Sequence, residues 1–417
     1  MPTTTGTAPG IAALFIDLDG FKGVNDSLGH HVGDRLLQCV AGRLTGAVRE
    51  ADTIGRLGGD EFVVLLDDTL GRGAPALVAE RILHVLRQPF ELDDVDIPLR
   101  ITASVGIAIA PSDTASELLS SADVALYAAK AAGKDCYETF RPGMQTAARR
   151  RYELELDLRG ALDAGEYRLM YQPIYGLADL TPIGFEALLR WEHPVHGMLP
   201  PNEFIPLLES SGQIVEVGRW VLHEACRQVA AWRRTAPQLT MSVNVSARQL
   251  DRETIIDDVR DALMLADLEP AALTIEITET ALMTNVEATA RRLQALKRLG
   301  VSIAIDDFGT GYSSLAYLQQ FPVDCLKIDR AFTSAIASSP EGDALIHTLV
   351  QLGKILGLKT LAEGVETGKQ VTHLRGEQMD AVQGFLLSRP LTAASVERNL
   401  MPTVREAAYR RPMRIAD

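Results

Sequence analysis

Residues 302–311, SIAIDDFGTG, join a short apolar run to a pair of acids and a glycine-rich turn. The apolar run has the length of a buried strand, and Asp306 and Asp307 stand where that strand ends. Seven further runs of this kind occur between residues 167 and 385, and helical stretches separate most of them. Eight strands that alternate with helices over about 240 residues predict a closed (β/α)8 barrel. The other predicted strands are Tyr167–Tyr175, Ile183–Arg190, Thr240–Val245, Leu273–Ile277, Cys325–Ile328, Lys359–Leu361 and Ala381–Phe385.

The first two of these runs are separated only by residues 176–182. Parallel neighbours need a crossover of a dozen or more residues, so this connection is too short for them. We therefore expect the first strand of the barrel to be antiparallel to the second.

The N-terminal part of the chain predicts a second, smaller α/β domain, because strand-like and helix-like runs alternate there as well. The break at residues 141–143, Arg-Pro-Gly, places the boundary after residue 142. The predicted organisation is thus a domain over 1–142, a barrel domain over 143–400 and a tail over 401–417. The N-terminal elements are a strand at 11–18, a helix at 33–48, a hairpin at 56–66, a helix at 77–86, a strand at 99–109 and a helix at 116–131.

Composition restricts the classes of partner and of location. The 417 residues have a net charge of −14, and no basic face is evident, which argues against a nucleic-acid polymer as partner. The N-terminus lacks the pattern of a signal peptide, and no apolar run of about 18 residues suggests a transmembrane segment. The four cysteines have neither metal-ligand nor redox spacing, so we expect reduced thiols and a cytoplasmic location.

Polar residues interrupt or end most of the predicted barrel strands. One acid at a strand end means little, since loops begin there, but acids on several strands of one barrel meet at one rim. Crowded carboxylates repel one another, and a divalent cation resolves that conflict. Oxygen ligands favour Mg²⁺ or Mn²⁺ over zinc, and the paired Asp306 and Asp307 could hold two ions. The residues concerned are Glu186, Arg190, Asn244, Glu276, Asp306, Asp307, Lys327, Asp329, Glu363, Glu366 and Gln383, of which Lys327 and Arg190 would neutralise phosphate charge.

These segments resemble the EAL family of cyclic di-GMP phosphodiesterases. The run EALLRW, residues 186–191, is similar to the sequence that gives the family its name. Other motifs agree in order over about 151–391: YQP (171–173), NVS (244–246), EITE (276–279), DDFGTG (306–311), KID (327–329), EGVE (363–366) and QGF (383–385). The resemblance implies an EAL-type barrel with an antiparallel first strand. It also implies hydrolysis of cyclic di-GMP to linear pGpG with two Mg²⁺ or Mn²⁺ ions.

The resemblance also implies roles for individual residues. The implied metal ligands are Glu186, Asn244, Glu276, Asp306 and Asp307. Positioning or activation of the attacking water is implied for Glu363 and Lys327, which form the catalytic set together with Asp306 and Asp307. Contacts to the dinucleotide are implied for Gln172, Arg190, Asp329 and Gln383. Glu279 would brace the loop after the fifth strand, and a homodimer through this domain is expected.

In the N-terminal domain, Asp17 ends the first strand and Asp60 follows the turn Gly58–Gly59. A strand and a neighbouring hairpin could bring both acids to one Mg²⁺ that holds a nucleoside triphosphate. Glycines in the turn would allow phosphate to approach the backbone closely. On these residues alone, a plain hairpin with surface acids is the simpler alternative.

The run GGDEF, residues 58–62, resembles the signature of diguanylate cyclases, and DLDGFK (17–22) and NDSLGH (25–30) agree with it. The resemblance implies a small nucleotidyl-cyclase-like domain that binds Mg²⁺ and GTP. It implies metal ligation by Asp17 and Asp60 with Glu61 nearby, guanine contacts from Asn25 and Asp34, and phosphate contacts from Lys130 and Lys134. Arg49 and Asp52 stand where the family places its product-inhibition site.

The start of this domain departs from the family pattern. Family members begin with a helix and a DxLTGLxNR-like segment, whereas only about ten residues precede the first strand here. We expect the missing helix to uncover apolar sheet surface, at about 1.5–3 kcal/mol for each large side chain. A regulatory, GTP-binding domain is therefore favoured over a robust cyclase.

Three functions remain open from the sequence. The first is a phosphodiesterase with a regulatory GGDEF domain, and the second is a non-catalytic cyclic di-GMP receptor. The third is a bifunctional or cyclase-dominant enzyme that makes cyclic di-GMP from GTP. The complete set of metal-ligand positions favours the first over the second.

Overall fold

The computed structural model describes residues 10–67, 74–92, 98–110, 114–283, 285–309, 320–336 and 339–404. The chain divides into two compact units, unit 1 (Met1–Leu154) and unit 2 (Glu155–Asp417). Within the described ranges, no helix is both long enough and apolar enough to cross a bilayer.

Unit 1 is built on a five-stranded sheet with strand order β2-β3-β1-β4-β5. The central strand β1 is antiparallel to both β3 and β4, whereas β5 runs parallel to β4. The predicted elements are present, and the prediction lacked α1 and β5. The strands are β1 (Ala12–Asp19), β2 (Thr53–Gly58), β3 (Glu61–Leu66), β4 (Thr102–Ile109) and β5 (Tyr137–Thr139). The helices are α1 (Phe21–Leu28), α2 (His30–Ala47), α3 (Ala74–Leu86), α4 (Ala115–Ala131) and α5 (Met144–Ala161), the last of which extends past the unit boundary.

Both faces of β1 are buried, because its side chains alternate between two apolar clusters. Leu14 and Ile16 join the cluster that includes Leu36 of α2. Ala13 and Phe15 face the other way and pack with residues of α4. The apolar residues of β1 are therefore covered, whereas Leu57 on β2 and Leu65 on β3 are 58% and 37% exposed, so apolar surface of the sheet is uncovered at these neighbouring strands.

Close packing of α4 on β4 depends on Gly106. A Cβ atom at this position would lie 2.0 Å from the Ala122 carbonyl oxygen and 2.1 Å from the Leu126 amide nitrogen. We expect Gly106→Ala to destabilise unit 1 by ~1–3 kcal/mol, because backbone atoms of a helix cannot yield as a side chain can. Urea denaturation measures this loss.

The matched control for that variant is Gly42→Ala in α2, where a Cβ atom would meet nothing within 4 Å. Alanine in an open helical position should stabilise by about 0.5–1 kcal/mol. Equal shifts of the unfolding midpoint in the two variants would contradict the packing argument.

Unit 2 contains a closed barrel of eight strands, as the sequence predicts. The strands follow one another around the barrel in the order β6-β14-β13-β12-β11-β10-β9-β7, and pairing of β6 with β7 closes it. Strand β8 adds to the outer edge of β7. The strands are β6 (Tyr167–Gly176), β7 (Pro182–His193), β8 (Gly197–Leu199), β9 (Thr240–Asn244), β10 (Leu273–Thr278), β11 (Ser302–Phe308), β12 (Cys325–Ile328), β13 (Lys359–Ala362) and β14 (Ala381–Val382).

The first barrel strand is antiparallel to both of its neighbours, which confirms the expectation from the short connection. The remaining barrel neighbours are parallel, so their carboxyl ends lie at one rim. The helices are α6 (Pro201–Ser211), α7 (Ile214–Arg233), α8 (Ala247–Leu250), α9 (Ile255–Ala266), α10 (Glu279–Met283), α11 (Val286–Leu299), α12 (Arg330–Ala335), α13 (Pro340–Leu356), α14 (Gly368–Gly376) and α15 (Ala393–Asn399).

The start of the predicted tail packs against unit 2. Met401 and Val404 are buried, so residues 401–404 belong to the folded unit. The rest of the predicted tail, 405–417, lies outside the described residues.

Candidate metal centre and nucleotide sites

The centre of the barrel rim is a buried lysine surrounded by carboxylates. The Lys327 side chain is 1% exposed, and its Nζ lies 2.6 Å from a Glu276 oxygen and 2.7 Å from a Glu363 oxygen. Oxygens of Asp306 and Glu186 follow at 3.0 and 3.6 Å. These residues lie on, or directly after, five different barrel strands, and the parallel register brings them together.

Four carboxylates surround one ammonium in this cluster, and the pKa values of its members are shifted as a result. Burial raises the pKa of Glu363 to about 8, against which Lys327 acts. Burial also raises the pKa of Glu276. Burial alone would lower the pKa of Lys327, but the surrounding carboxylates raise it well above its ordinary value. An additional positive charge within the cluster would therefore be electrostatically favourable.

Two amides hold Glu186 in its charged form. The Asn244 side chain donates to Glu186 Oε1 at 2.7 Å, and the Gln383 side chain donates to Oε2 at 2.8 Å. Burial would raise the pKa of Glu186, but Lys327 and these hydrogen bonds hold it below its ordinary value. The Gln383 Oε1 atom is buried and has no hydrogen-bond partner among the described residues.

The acids form two overlapping groups with the spacing of cation ligands. Oxygens of Glu186, Glu276 and Asp306 lie within 4.8 Å of one another, and so do oxygens of Asp306, Asp307 and Glu363. Asp306 belongs to both groups. All the donors are oxygens, which is the set that Mg²⁺ and Mn²⁺ prefer.

Asp307 has a left-handed backbone, with φ of 53°. Such a conformation is uncommon for a residue other than glycine and is found where surrounding structure enforces it, often at functional sites. Burial raises the pKa of Asp307, and the charges of Asp306 and Asp329 add to that effect.

Glu279, predicted to brace the loop after the fifth barrel strand, contacts the start of the segment after β11. Its Oε2 atom accepts a hydrogen bond from the Gly309 amide at 2.8 Å. Residues 310–319 of that segment lie outside the described residues.

The residues predicted to contact a dinucleotide are spread around the same rim. Gln172 lies opposite Glu186 in the register of β6 and β7, and its amide is 3.4 Å from the Ser388 carbonyl oxygen. The Arg190 guanidinium is half-buried and donates to the Leu189 carbonyl. Asp329 caps α12 by accepting from the Ala331 amide at 2.8 Å.

Two cavities lie near the barrel rim; one is lined by acids of the cluster, and the other reaches Asn244 but none of those acids. Sequence reasoning did not find either cavity. One, of 210 Å³, is lined by Glu186, Glu363 and Gln383 together with Arg330 and Phe385. The other, of 390 Å³, is mostly apolar, and its lining includes Leu188, Asn244 and the half-buried Glu209. Arg330 pairs with Glu366 at 2.7 Å. No motif signal marked Glu209 or Arg330, because neither residue ends a strand.

In unit 1, Asp17 lies beside Lys130, whose Nζ is 2.7 Å from Asp17 Oδ2. Burial raises the pKa of Asp17, Lys130 opposes this, and Asp60 and Asp19 contribute repulsion. The predicted acids of the strand and of the hairpin thus lie within electrostatic range of each other. Glu61 pairs with Asp17 in the register of β1 and β3, and the Gly58–Gly59 turn has left-handed backbone at Gly59, with φ of 53°.

The predicted guanine and inhibition residues occupy separate positions in unit 1. The Asn25 side chain rests against the backbone of Gly33, where a Cβ atom would lie 2.0 Å from its Oδ1, and Asp34 follows directly. Asp52 caps the turn at Arg49 by accepting from the Arg49 amide at 2.8 Å.

Two family models match the chain. The one described as "EAL domain" matches residues 155–390, which is more than half of the chain. The one described as "Diguanylate cyclase, GGDEF domain" matches residues 6–136.

Curated relatives match over nearly the whole chain. The bifunctional diguanylate cyclase/cyclic di-GMP phosphodiesterase MucR of Pseudomonas aeruginosa is 45% identical over 92% of this chain and 56% of its own length. The cyclic di-GMP phosphodiesterase NbdA of the same organism is 42% identical over 94% of this chain and 50% of its own length. The chain therefore spans about half the length of these relatives.

Solved structures agree with the fold. The c-di-GMP complex of the PaMucR phosphodiesterase is 44% identical, covers 58% of this chain and 99% of its own, and has a TM-score of 0.57. The cGMP-bound form of the EAL enzyme Bd1971 is 26% identical, covers 85% of this chain and 92% of its own, and has a TM-score of 0.59.

Proposed function

The chain belongs to the EAL domain family and has a diguanylate cyclase GGDEF domain ahead of its barrel, and on that premise we propose that it hydrolyses cyclic di-GMP to linear pGpG. The observation that supports this most strongly is the pair of overlapping acidic groups that share Asp306. Two relatives described as cyclic di-GMP phosphodiesterases, NbdA and MucR, support the substrate.

The residues of the cluster fit two divalent cations. Glu186, Asn244 and Glu276 would hold one ion, Asp307 would hold the second, and Asp306 would contact both. Lys327, with smaller contributions from Gln383 and Asn244, keeps Glu186 ionised, as a ligand must be. The raised pKa values of Glu276 and Glu363 indicate that further positive charge is favourable here. Oxygen donors favour Mg²⁺ or Mn²⁺.

When bound, two such ions would supply the charge that makes water nucleophilic and that neutralises both oxygens of an in-line displacement. Glu363 would accept a proton from the attacking water, since its carboxylate lies in one acidic group with Asp306 and Asp307. Lys327 would hold Glu363 and Glu276 in place and offset the charge of the phosphate. Gln172 and Arg190 would orient the dinucleotide, together with Asp329 and Gln383.

We infer that unit 1 binds GTP and Mg²⁺ and modulates unit 2. Asp17 and Asp60 would hold the ion, Asn25 and Asp34 would contact guanine, and Lys130 and Lys134 would contact phosphates. Cyclase activity is the second candidate, favoured by the similarity to a relative described as bifunctional. A homodimer through unit 2 and product inhibition at Arg49 and Asp52 stay predictions.

Nucleotide turnover by the purified full chain tests the proposal. We expect cyclic di-GMP with Mg²⁺ or Mn²⁺ to yield pGpG, resolved by ion-pair chromatography, and EDTA to stop the reaction. A chain that binds cyclic di-GMP without forming pGpG would be a receptor and not a phosphodiesterase. GTP given to an Asp306→Asn variant tests the cyclase separately, since product cannot then be consumed.

Glu363→Gln is expected to abolish turnover and to flatten the pH dependence of stability in the metal-free protein. The pKa of Glu363 is about 8 when folded, against an ordinary value of 4.5. A raised folded pKa contributes stability that is full below pH 4.5 and is lost as the pH rises through about 8. Glutamine cannot ionise, so this loss should disappear.

Urea denaturation in EDTA at pH 6 and pH 9 measures the effect of Glu363→Gln. Glu341→Gln, an exposed acid in the first turn of α13, serves as the control and should keep the wild-type pH dependence. If the free energy of unfolding changed equally with pH in the wild type and in Glu363→Gln, the pKa of Glu363 would not be raised in the folded protein.

A further inference from the structure

Three consecutive residues after α4 have left-handed backbones. Their φ angles are 116° at Gly133, 65° at Lys134 and 48° at Asp135. A helix commonly ends with one such residue, usually glycine, and α4 ends this way, with the Lys134 amide donating to the Ala129 carbonyl at 3.2 Å. Gly133 is sufficient for that ending. The left-handed conformation of Lys134 and Asp135, which costs energy in L-residues, needs a separate cause.

Arg87, just after α3, supplies that cause from one side. Its Nε donates to both Asp135 carboxylate oxygens at 2.8 and 2.9 Å, and its Nη2 donates to the Asp135 carbonyl at 2.7 Å. The rigid fork of a guanidinium thus binds the side chain and the main chain of one residue at once.

Asp19 fixes the same residue from the other side. Its Oδ2 accepts from the Asp135 amide at 3.1 Å, and its carboxylate also accepts from the Thr102 and Ser104 hydroxyls at 2.8 Å each. Asp135 is therefore bonded to Asp19 at the end of β1 and to Arg87 after α3, and two hydroxyls of β4 hold Asp19 in place. Surroundings that determine a residue in this way are what allow a strained backbone to persist, commonly at ligand sites.

Lys134 is the residue whose placement depends on this arrangement. It is exposed and stands between Gly133 and the clamped Asp135. Lys130, one helical turn earlier, is paired with Asp17, and Asp17 and Asp19 lie on the same face of β1. A lysine is a flexible point charge, so the position of its backbone decides which region its ammonium can reach.

We propose that Arg87 is a positioning residue for a nucleotide-phosphate site in unit 1. By clamping Asp135 it holds Lys134 in the left-handed conformation from which its ammonium meets a triphosphate. This inference rests on the GTP-binding role proposed for unit 1, and it adds a residue that lies outside the diguanylate cyclase motifs of the chain.

Calorimetric titration of the full chain with GTP and Mg²⁺ tests the inference. Arg87→Gln removes the fork and should weaken GTP binding about tenfold, the scale of a lost supporting contact. Lys134→Ala should weaken it similarly. The double variant should bind no more weakly than Lys134→Ala alone, because Arg87 acts through Lys134. Arg149→Gln, which removes an arginine of unit 1 that is 80% exposed, is the matched control and should bind as wild type does.

The outcomes separate the two proposals. If the wild type binds no GTP, the GTP role of unit 1 and this inference both fail. If Lys134→Ala weakens binding and Arg87→Gln does not, the inference alone fails. Additive losses in the double variant, or a lowered Tm of Arg87→Gln with unchanged GTP affinity, would make Arg87 a structural residue and also overturn it.

Discussion

Replacing Asp306 by asparagine is expected to lower kcat/KM for cyclic di-GMP hydrolysis by more than ~100-fold. Loss of a residue that merely supports a metal ligand typically costs about 10–100-fold. Asp306 lies in both acidic groups, so its loss would remove a donor from both proposed ions. Asparagine keeps the shape of the side chain and one oxygen, which isolates the effect of charge. Steady-state pGpG formation measures the result.

The control for this variant is Asp257→Asn on α9. Asp257 pairs with Arg260 on the surface, where its side chain is 66% exposed, so full activity is expected. Asp306→Asn should also bind Mn²⁺ more weakly in calorimetry. Wild-type turnover by Asp306→Asn would remove the shared ligand from the proposed mechanism and would leave the acidic cluster without a catalytic role.

The barrel and most of the acidic cluster could be predicted from the sequence, because the signal is local. Glu186, Glu276 and Asp306 each interrupt an apolar run, and parallel strands place such residues at one rim. The short connection before residue 182 was enough to predict an antiparallel first strand, since it rules out a crossover. Each of these inferences needs only a few consecutive residues.

The relations that the sequence did not predict are those between distant segments. Lys327 was expected to neutralise phosphate, and the structure places it among four carboxylates of other strands. Asp19 appeared only as part of a motif, yet its partners Thr102, Ser104 and Asp135 lie 83–116 residues away. Glu209 and the cavity beside it depend on how α6 and α7 pack, which no motif specifies.

Lys327→Met is expected to destabilise unit 2 by ~3–5 kcal/mol in EDTA, because removing one partner leaves uncompensated buried charge. Methionine has nearly the same length and is apolar, so packing is largely kept while the ammonium is lost. The Lys327 side chain is 1% exposed and contacts oxygens of Glu276 and Glu363 at 2.6 and 2.7 Å, so water cannot replace it easily. Urea denaturation of the full chain measures the loss.

Divalent cations should rescue the fold of this variant without rescuing its activity. The ammonium and the ions compete for neighbouring carboxylate oxygens, so Mn²⁺ should stabilise Lys327→Met more than it stabilises the wild type. Turnover should stay low, because Lys327 also holds Glu363, the proposed base, at 2.7 Å.

Lys354→Met, which removes an exposed lysine bonded to the Glu377 carbonyl, is the control and should change stability by no more than about 0.5 kcal/mol. If Lys327→Met in EDTA were as stable as the wild type, the cluster would tolerate its charge without the lysine. The argument that excess carboxylate charge in this cluster favours the binding of divalent cations would then fail.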